Sequence, residues 1–131
     1  MPHIVGLETA QFDLRKEPKN PINPIGGHSL LVWLRTTLAS HLELTEPDSE
    51  DWGWYSTGTF EGSNYLVGAC AMGQPDDAPP LEWLIQIHKQ RSLLEKLLGK
   101  NRMAPDDPLS ALIVATLQRE PAFSKVERRI E

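Results

Sequence analysis

The sequence predicts an α+β fold in which helices pack on one face of an antiparallel sheet of three to five strands, forming a two-layer sandwich. Residues 30–42 and 109–117 repeat apolar side chains with the 3.6-residue period of a helix. Residues 52–60, 64–72 and 81–88 are rich in aromatic and β-branched side chains, and turns with Gly or Pro separate them. Strands and helices do not alternate as in a doubly wound fold, so the sheet is expected to be antiparallel.

The N-terminal part of the chain predicts an edge strand over 4–14 and a loop over 15–27. Prolines recur at every third residue from Pro18 in that loop, and each removes a backbone donor and disfavours a helix. Residues 1–131 are expected to form one domain that includes this Pro-rich loop.

The first helix is expected to follow Gly27, with His28 or Ser29 as its cap, and to end before Pro47. The acidic residues between Glu43 and Asp51 are interpreted as the loop that leaves this helix.

The face of the sheet that lies in the core can be predicted from the alternation of side chains. Trp83, Ile85 and Ile87 share one face of the strand over 81–88, which is therefore expected to face the core. In the preceding strand, the same face is predicted to contain Leu66, Gly68, Cys70 and Met72.

The turn between the predicted strands over 52–60 and 64–72 decides which face of the sheet contains Trp52 and Trp54. A three-residue loop, Glu61-Gly62-Ser63, would place both tryptophans on the core face beside Trp83. A two-residue loop would instead pair them with the face that contains Tyr65 and Val67. We expect the three-residue loop, because it collects the aromatic residues in one core.

This register leaves an apolar patch on the outer face of the sheet, which predicts a homodimer through that face. The patch contains Tyr55, Tyr65, Val67, Ala69 and Leu84, beside His88.

The C-terminal part predicts a short leucine-rich helix that ends at Gly99, a longer helix capped by Asp107 with Pro108 in its first turn, and a final strand over 123–130.

Composition excludes several classes of protein. Hydrophobic residues make up 40% of the chain, which is typical of a folded protein. A net charge of −5, from 13 Lys and Arg against 18 Asp and Glu, argues against nucleic acid as a partner. No apolar run is long enough to span a membrane. A single cysteine, Cys70, and the absence of a signal peptide predict a cytoplasmic protein.

The sequence favours a non-catalytic protein, because it has no G-x-S-x-G, Walker or G-x-G-x-x-G motif. Its four histidines lack the H-x-x-x-H or H-x-H spacing that places two imidazoles on one metal. We therefore expect no metal site and no cofactor.

The most unusual segment is Glu50-Asp51-Trp52-Gly53-Trp54-Tyr55, in which carboxylates adjoin three aromatic residues. Because Trp and Tyr dominate binding hot spots, the candidate binding residues are taken from this segment and its neighbours. They are Glu50, Asp51, Trp52, Trp54, Tyr55, Tyr65 and His88.

Two functions are compatible with this pattern. The first is a small acidic protein-binding module, such as an adaptor, an immunity-type inhibitor or a dedicated chaperone, with an unknown protein partner. The alternative is an enzyme or small-ligand-binding protein whose aromatic-lined pocket lies between helices and sheet. That pocket would be lined by Trp33, Trp54, Tyr55 and Trp83.

Overall fold

A computed structural model describes residues 2–131 and contains one six-stranded antiparallel sheet with three α-helices. The strands are β1 (His3–Thr9), β2 (Asp48–Glu50), β3 (Gly53–Phe60), β4 (Ser63–Ala71), β5 (Leu81–Gln90) and β6 (Ser124–Ile130). The helices are α1 (His28–Thr37), α2 (Leu93–Leu98) and α3 (Pro108–Arg119), and a 3₁₀ turn spans Leu14–Lys16.

The N-terminal strand lies inside the sheet, although the sequence predicts an edge strand for it. The strand order is β2-β3-β4-β5-β1-β6, so β1 pairs with β5 on one side and with β6 on the other. Its side chains alternate between buried and half-buried, with Val5 and Leu7 in the core. Because β1 pairs with β6, the N-terminal and C-terminal strands of the chain lie side by side in the sheet.

The sheet has six strands rather than the predicted three to five, and β2 is the strand that the sequence pattern does not reveal. It contains only Asp48, Ser49 and Glu50, which lack the β-branched and aromatic residues typical of strands. A tight turn at Asp51 and Trp52 pairs it with β3. The segment predicted as an acidic exit loop therefore ends in a short polar edge strand, a form that resists pairing with other chains.

The turn between β3 and β4 is the two-residue loop, so the predicted three-residue loop is wrong. Phe60 pairs with Ser63, and both Glu61 and Gly62 have positive φ, 49° and 79°. Two positive φ angles are the pattern of a type I′ turn, whose twist matches that of the flanking strands.

The shorter turn reverses the face that β4 presents to the core. The core face of this strand contains Tyr65, Val67 and Ala69, which were predicted to lie outside, and also Ala71. Val67, Ala69 and Ala71 pair directly with core residues of β5, as in Ala71 with Trp83, whereas Tyr65 pairs with the half-buried Lys89. Leu66, Gly68 and Cys70 lie on the opposite face instead.

The core face of β5 is confirmed, since Trp83, Ile85 and Ile87 are fully buried. Trp54 joins them, as predicted, whereas the prediction that Trp52 lies on the same face is wrong, because its ring covers Gly68 on the outer face. The same hydrophobic cluster includes buried residues from two helices: Leu30, Leu31 and Leu34 of α1, and Leu109, Ile113 and Leu117 of α3. Leu38 is also buried, whereas Trp33 and Leu112 are only half-buried against this cluster.

The Pro-rich loop over 15–27 is attached to the rest of the fold by side-chain hydrogen bonds, among them those of Glu17 and Asn20. The carboxylate of Glu17 accepts hydrogen bonds from the backbone N–H groups of Gly27 (3.0 Å) and Ser29 (2.9 Å) and from the Ser29 hydroxyl. It therefore replaces the side-chain cap that Gly27 lacks at the start of α1. The buried amide of Asn20 donates to the carbonyls of Glu50 and Gly53, each at 3.0 Å.

We expect Glu61→Asn to raise the free energy of unfolding by about 0.5 kcal/mol, because Asn tolerates positive φ better than Glu. Glu61→Val should lower it by about 1 kcal/mol, because a β-branched residue is strained there. Urea titrations of both variants and of the parent protein measure the differences. Equal stabilities would contradict a turn that needs positive φ at residue 61.

Candidate functional site

The predicted binding residues are divided between the two faces of the sheet. Trp54 and Tyr65 lie in the core, with exposed fractions of 6% and 0%. The edge of the Trp54 ring meets His28, with ring centroids 4.9 Å apart. The outer-face position predicted for Tyr65 is therefore wrong, and the predicted dimer patch loses Tyr65, Val67 and Ala69 to the core.

The remaining predicted residues lie on the outer face or at the β2–β3 turn. Tyr55 is half-buried, and its hydroxyl lies 3.5 Å from the carboxylate of Asp48. Glu50 is half-buried and Asp51 is exposed, and their carbonyls accept hydrogen bonds from the Pro-rich loop. Trp52 and His88 are the two members that line the same cleft.

The residues predicted to line an aromatic pocket are placed apart: Trp33 lines a cleft of about 240 Å³ beside α1 and α3, whereas Tyr55 lies on the outer face of the sheet. Trp83 is fully buried and its ring is packed edge-on against Phe12, with centroids 5.4 Å apart. Trp33 packs edge-on against Phe123, at 4.8 Å.

A buried polar cluster joins β1, β4 and α3 beneath the sheet. The Tyr65 hydroxyl donates to the Asp107 carboxyl group at 2.7 Å, and the same group accepts the backbone N–H of Ser110 at 3.0 Å. The Ser110 hydroxyl lies 2.6 Å from Nδ1 of His3 and 3.4 Å from the Arg128 guanidinium. Asp107 thus caps α3, as predicted, and also connects that helix to the sheet.

A serine beside a histidine can act as a nucleophile with its base, yet this pair is closed to a substrate. Both side chains are fully buried, as is Tyr65. Burial and the nearby Arg128 lower the pKa of His3, with an opposing effect from Asp107. Burial also raises the pKa of Tyr65, as does its hydrogen bond to Asp107. The hydrogen bonds of the cluster join β1, β4 and α3 in the core, although Nε2 of His3 has no hydrogen-bond partner among the described residues.

The leucines of α2 form the largest apolar surface at a single element. Among the residues that the structure describes, Leu93, Leu94, Leu97 and Leu98 are 74%, 65%, 75% and 56% exposed. At about 100° per residue, they cover an arc of about 140° on the helix. No residue of α2 is buried. The apolar side of this amphipathic helix therefore points to solvent, the reverse of the usual arrangement.

Caps hold this short helix in place without help from its leucines. Ser92 and Glu95 form a capping box, in which the Glu95 carboxylate accepts the Ser92 N–H at 2.9 Å and the Ser92 hydroxyl accepts the Glu95 N–H at 3.1 Å. The backbone hydrogen bond from Ser92 lowers the pKa of Glu95. Gly99 ends the helix with a left-handed φ of 65°, as predicted.

A cleft of about 540 Å³ separates α2 from the outer face of the sheet. Its lining consists of Trp52, Leu66, Gln86, His88, Lys89, Gln90, Arg91 and Lys96. The Trp52 ring lies directly over Gly68, where any Cβ would collide with it. Burial lowers the pKa of His88, whose Nε2 lies 3.1 Å from the Gln86 side-chain oxygen. The formal charges in the lining are therefore the three basic side chains.

The basic side chains of this cleft have no acidic neighbour in contact. Within residues 2–131, the ion pairs are Arg15 with Asp13, Lys125 with Glu8, and Arg129 with Glu131. Lys89, Arg91 and Lys96 thus have no described carboxylate within 4.0 Å. The guanidinium of Arg91 donates to the carbonyl of Lys100 at 3.2 Å, which holds it beside the end of α2.

The sequence pattern contained a signal for this surface. It predicted the helix and its end at Gly99, but the seven candidate residues included none of its leucines. Four leucines within six residues, flanked by basic residues, would have indicated an apolar face; whether that face is covered depends on the tertiary structure.

Two further findings concern the described part of the chain. No helix in it is long and apolar enough to cross a membrane. No three His, Cys, Asp or Glu side chains in it are grouped so that they could hold a metal ion.

Burial raises the pKa of the Cys70 thiol, which lies half-buried on the outer face rather than in the core.

The chain matches no protein-family model, and neither curated protein sequences nor solved structures contain a significant match to it. Function is therefore inferred from the side chains of this fold.

We expect Asp107→Ala to lower the free energy of unfolding by about 3 kcal/mol, because it removes the cap of α3 and leaves the Tyr65 hydroxyl buried without its partner. In the Asp107→Ala background, Tyr65→Phe should lower the free energy of unfolding only slightly further. Urea denaturation of the two single variants and the double variant measures this coupling. Asp106→Ala, at an exposed neighbouring position, is the control and should change stability by less than about 0.5 kcal/mol.

The lowered pKa of His3 predicts a loss of stability in acid. The unfolded chain takes up a proton at His3 near pH 6.5, whereas the folded protein does so only at lower pH. The contribution of neutral His3 to stability is therefore complete above about pH 6.5 and is lost progressively as the pH falls below that value.

His3→Gln should flatten the dependence of unfolding free energy on pH between 7 and 5, by at most about 1.4 kcal/mol per pH unit. Urea titrations at several pH values measure the slope. His41→Gln, at an exposed histidine, is the matched control. The prediction fails if the two variants have the same slope.

Proposed function

We propose that this chain is a small acidic protein-binding module and that α2 is the element that docks on the partner. The observation that supports the proposal is the outward leucine face of a helix that is capped at both ends. Leu94, Leu97 and Leu98 have the i, i+3, i+4 spacing by which an amphipathic helix inserts its anchors into a groove of another protein.

The physical reason is the unfavourable contact of these leucines with water. Burying a leucine side chain completely is favourable by about 1.5–3 kcal/mol, and most of that free energy is unrealised at all four positions. Contiguous apolar surface of this kind is typical of sites where proteins bind one another. Because the caps hold the helix in place already, docking incurs a small entropic cost.

The arrangement of the helices supports the same conclusion. We infer that α1 and α3 cover the core face of the sheet together, since each contributes three buried leucines or isoleucines to one cluster with it. The outer face would then be free of these helices, with α2 beside it. This is a surface from which a partner can reach both α2 and the sheet.

A non-catalytic function fits the placement of the reactive side chains. The serine and histidine that lie in contact are sealed in the core, and the remaining thiol has a raised pKa. The raised pKa keeps Cys70 in the unreactive protonated form near neutral pH.

A photo-crosslinking experiment tests the docking helix. Benzoylphenylalanine is placed either at Leu94 or at Ile22, which has a similar exposed fraction, 57%, but lies in the Pro-rich loop. In extracts of the native cells, we expect position 94 to give one predominant adduct with a partner protein and position 22 to give none. Equal labelling at both positions, or no adduct at position 94, would refute the proposal.

The partner identified in the adduct is then purified and its affinity measured by calorimetry. Leu94→Glu combined with Leu97→Glu should weaken binding by about 100-fold, because two anchors of the interface are removed. Thermal unfolding should be unchanged, since both leucines are exposed. Ile22→Glu combined with Met72→Glu serves as the control pair and should bind like the parent protein.

A further inference from the structure

The charge of the chain is divided unequally between the docking surface and the rest. Residues 89–102 contain five of the 13 Lys and Arg residues and one of the 18 Asp and Glu residues, so this segment carries +4 and the remainder carries −9. The single acid, Glu95, is engaged by the backbone of Ser92 in the capping box. The leucine face of α2 is thus the centre of a basic island on an acidic protein.

The basic groups are arranged around a concave surface. Lys89, Arg91 and Lys96 line the cleft between α2 and the sheet, with Trp52 at its wall. Arg91 is held in place by its hydrogen bond to the Lys100 carbonyl. A side chain that projects from a partner can enter such a cleft.

A second cleft on the outer face of the sheet differs from the cleft beside α2 in its charged side chains. It has a volume of about 280 Å³ and is lined by Glu8, Glu82 and Glu127 as well as by basic residues. Glu8 and Lys125 pair there at 2.9 Å. That cleft therefore contains both acidic and basic side chains, whereas the charged side chains that line the cleft beside α2 are all basic.

A symmetric dimer through α2 is disfavoured by the same charges. A two-fold contact between leucine faces would bring two segments of +4 together, and opposed like charges in an interface cost several kcal/mol.

We propose that the partner docking on α2 is an acidic amphipathic helix, whose apolar side covers the four leucines and whose flanking carboxylates enter the basic cleft. This inference rests on the proposed function and adds the chemistry of the partner. Its anchors are Leu94 and Leu97, and its charge contacts are Lys89, Arg91 and Lys96. Complementary charges of this kind increase the association rate and fix the orientation of the partner.

Two synthetic helical peptides of equal length test the proposal, with the same leucine positions and either Glu or Gln at every flanking position. Binding to the full-length chain is measured by fluorescence anisotropy. At low ionic strength, the Glu peptide should bind about tenfold more tightly than the Gln peptide. The difference should shrink at 0.5 M NaCl, where the Debye length is about 4 Å and charges at an interface are screened.

Charge reversal of the cleft provides the matched variants. Arg91→Glu combined with Lys96→Glu should abolish the preference for the Glu peptide and leave binding of the Gln peptide within about twofold. Lys16→Glu combined with Lys19→Glu has the same change in net charge at exposed positions of the Pro-rich loop, and the preference should persist there.

The possible failures separate the two proposals. Equal binding of both peptides, lost in Leu94→Glu combined with Leu97→Glu, would overturn the acidic partner and leave the docking helix intact. No binding of either peptide would overturn the acidic helix as occupant. If the leucine-dependent ligand is instead a phosphatidylserine-containing vesicle, or a second copy detected by sedimentation, both the acidic partner and the protein-docking function as stated are wrong.

Discussion

The buried carboxyl group of Asp107 connects parts of the chain that are far apart in sequence. It accepts the hydroxyl of Tyr65 from the centre of the sheet and caps α3 through the backbone N–H of Ser110. Ser110 in turn contacts His3 of β1, 107 residues earlier. Without these contacts, the polar atoms of three elements would be buried without partners, which is costly in a core. Asp107 therefore helps to fix α3 relative to β1 and β4, together with the buried apolar residues of that helix.

The position of β1 between β5 and β6 likewise brings the two ends of the described chain together. β6 pairs with β1 alone, and the N–H of Glu131 donates to the carbonyl of Pro2 at 3.0 Å. β6 can be added to the sheet only after β1 has paired with β5, or together with it. Contacts between such distant segments incur a large loop-closure entropy, which favours slow folding of this side of the sheet.

In most folded proteins the apolar side of a helix is buried against the rest of the fold. The leucines of α2 are an exception, because they point to solvent. The backbone of the helix is satisfied by its caps and its one basic residue, Lys96, lines the cleft, but its leucines remain largely exposed. Such conflicts are expected at functional sites, where stability is given up for binding. The contrast with α1 and α3, whose leucines and isoleucines are buried, explains why we assign the partner surface to α2.

Local sequence patterns determined the secondary structure of this protein to a large extent. The periods of 2 and 3.6 identified the core strands and both longer helices, and the Asp107 cap and the Gly99 end of α2 follow from the chemistry of single residues. These features depend on residues that are close together in sequence, so the sequence alone is enough to predict them. Of the residues that line the basic cleft, the sequence predicted only Trp52 and His88 as binding residues.

Only the tertiary structure decided the face of β4, the place of β1 and the exposure of α2. One residue more or less in the turn after Phe60 reverses a whole strand, because side chains alternate with a period of 2, and the sequence allowed both turns. The polar strand β2 exists because a turn brings it to β3. Whether leucines are buried depends on what packs against them, and that is a property of elements far apart in the chain.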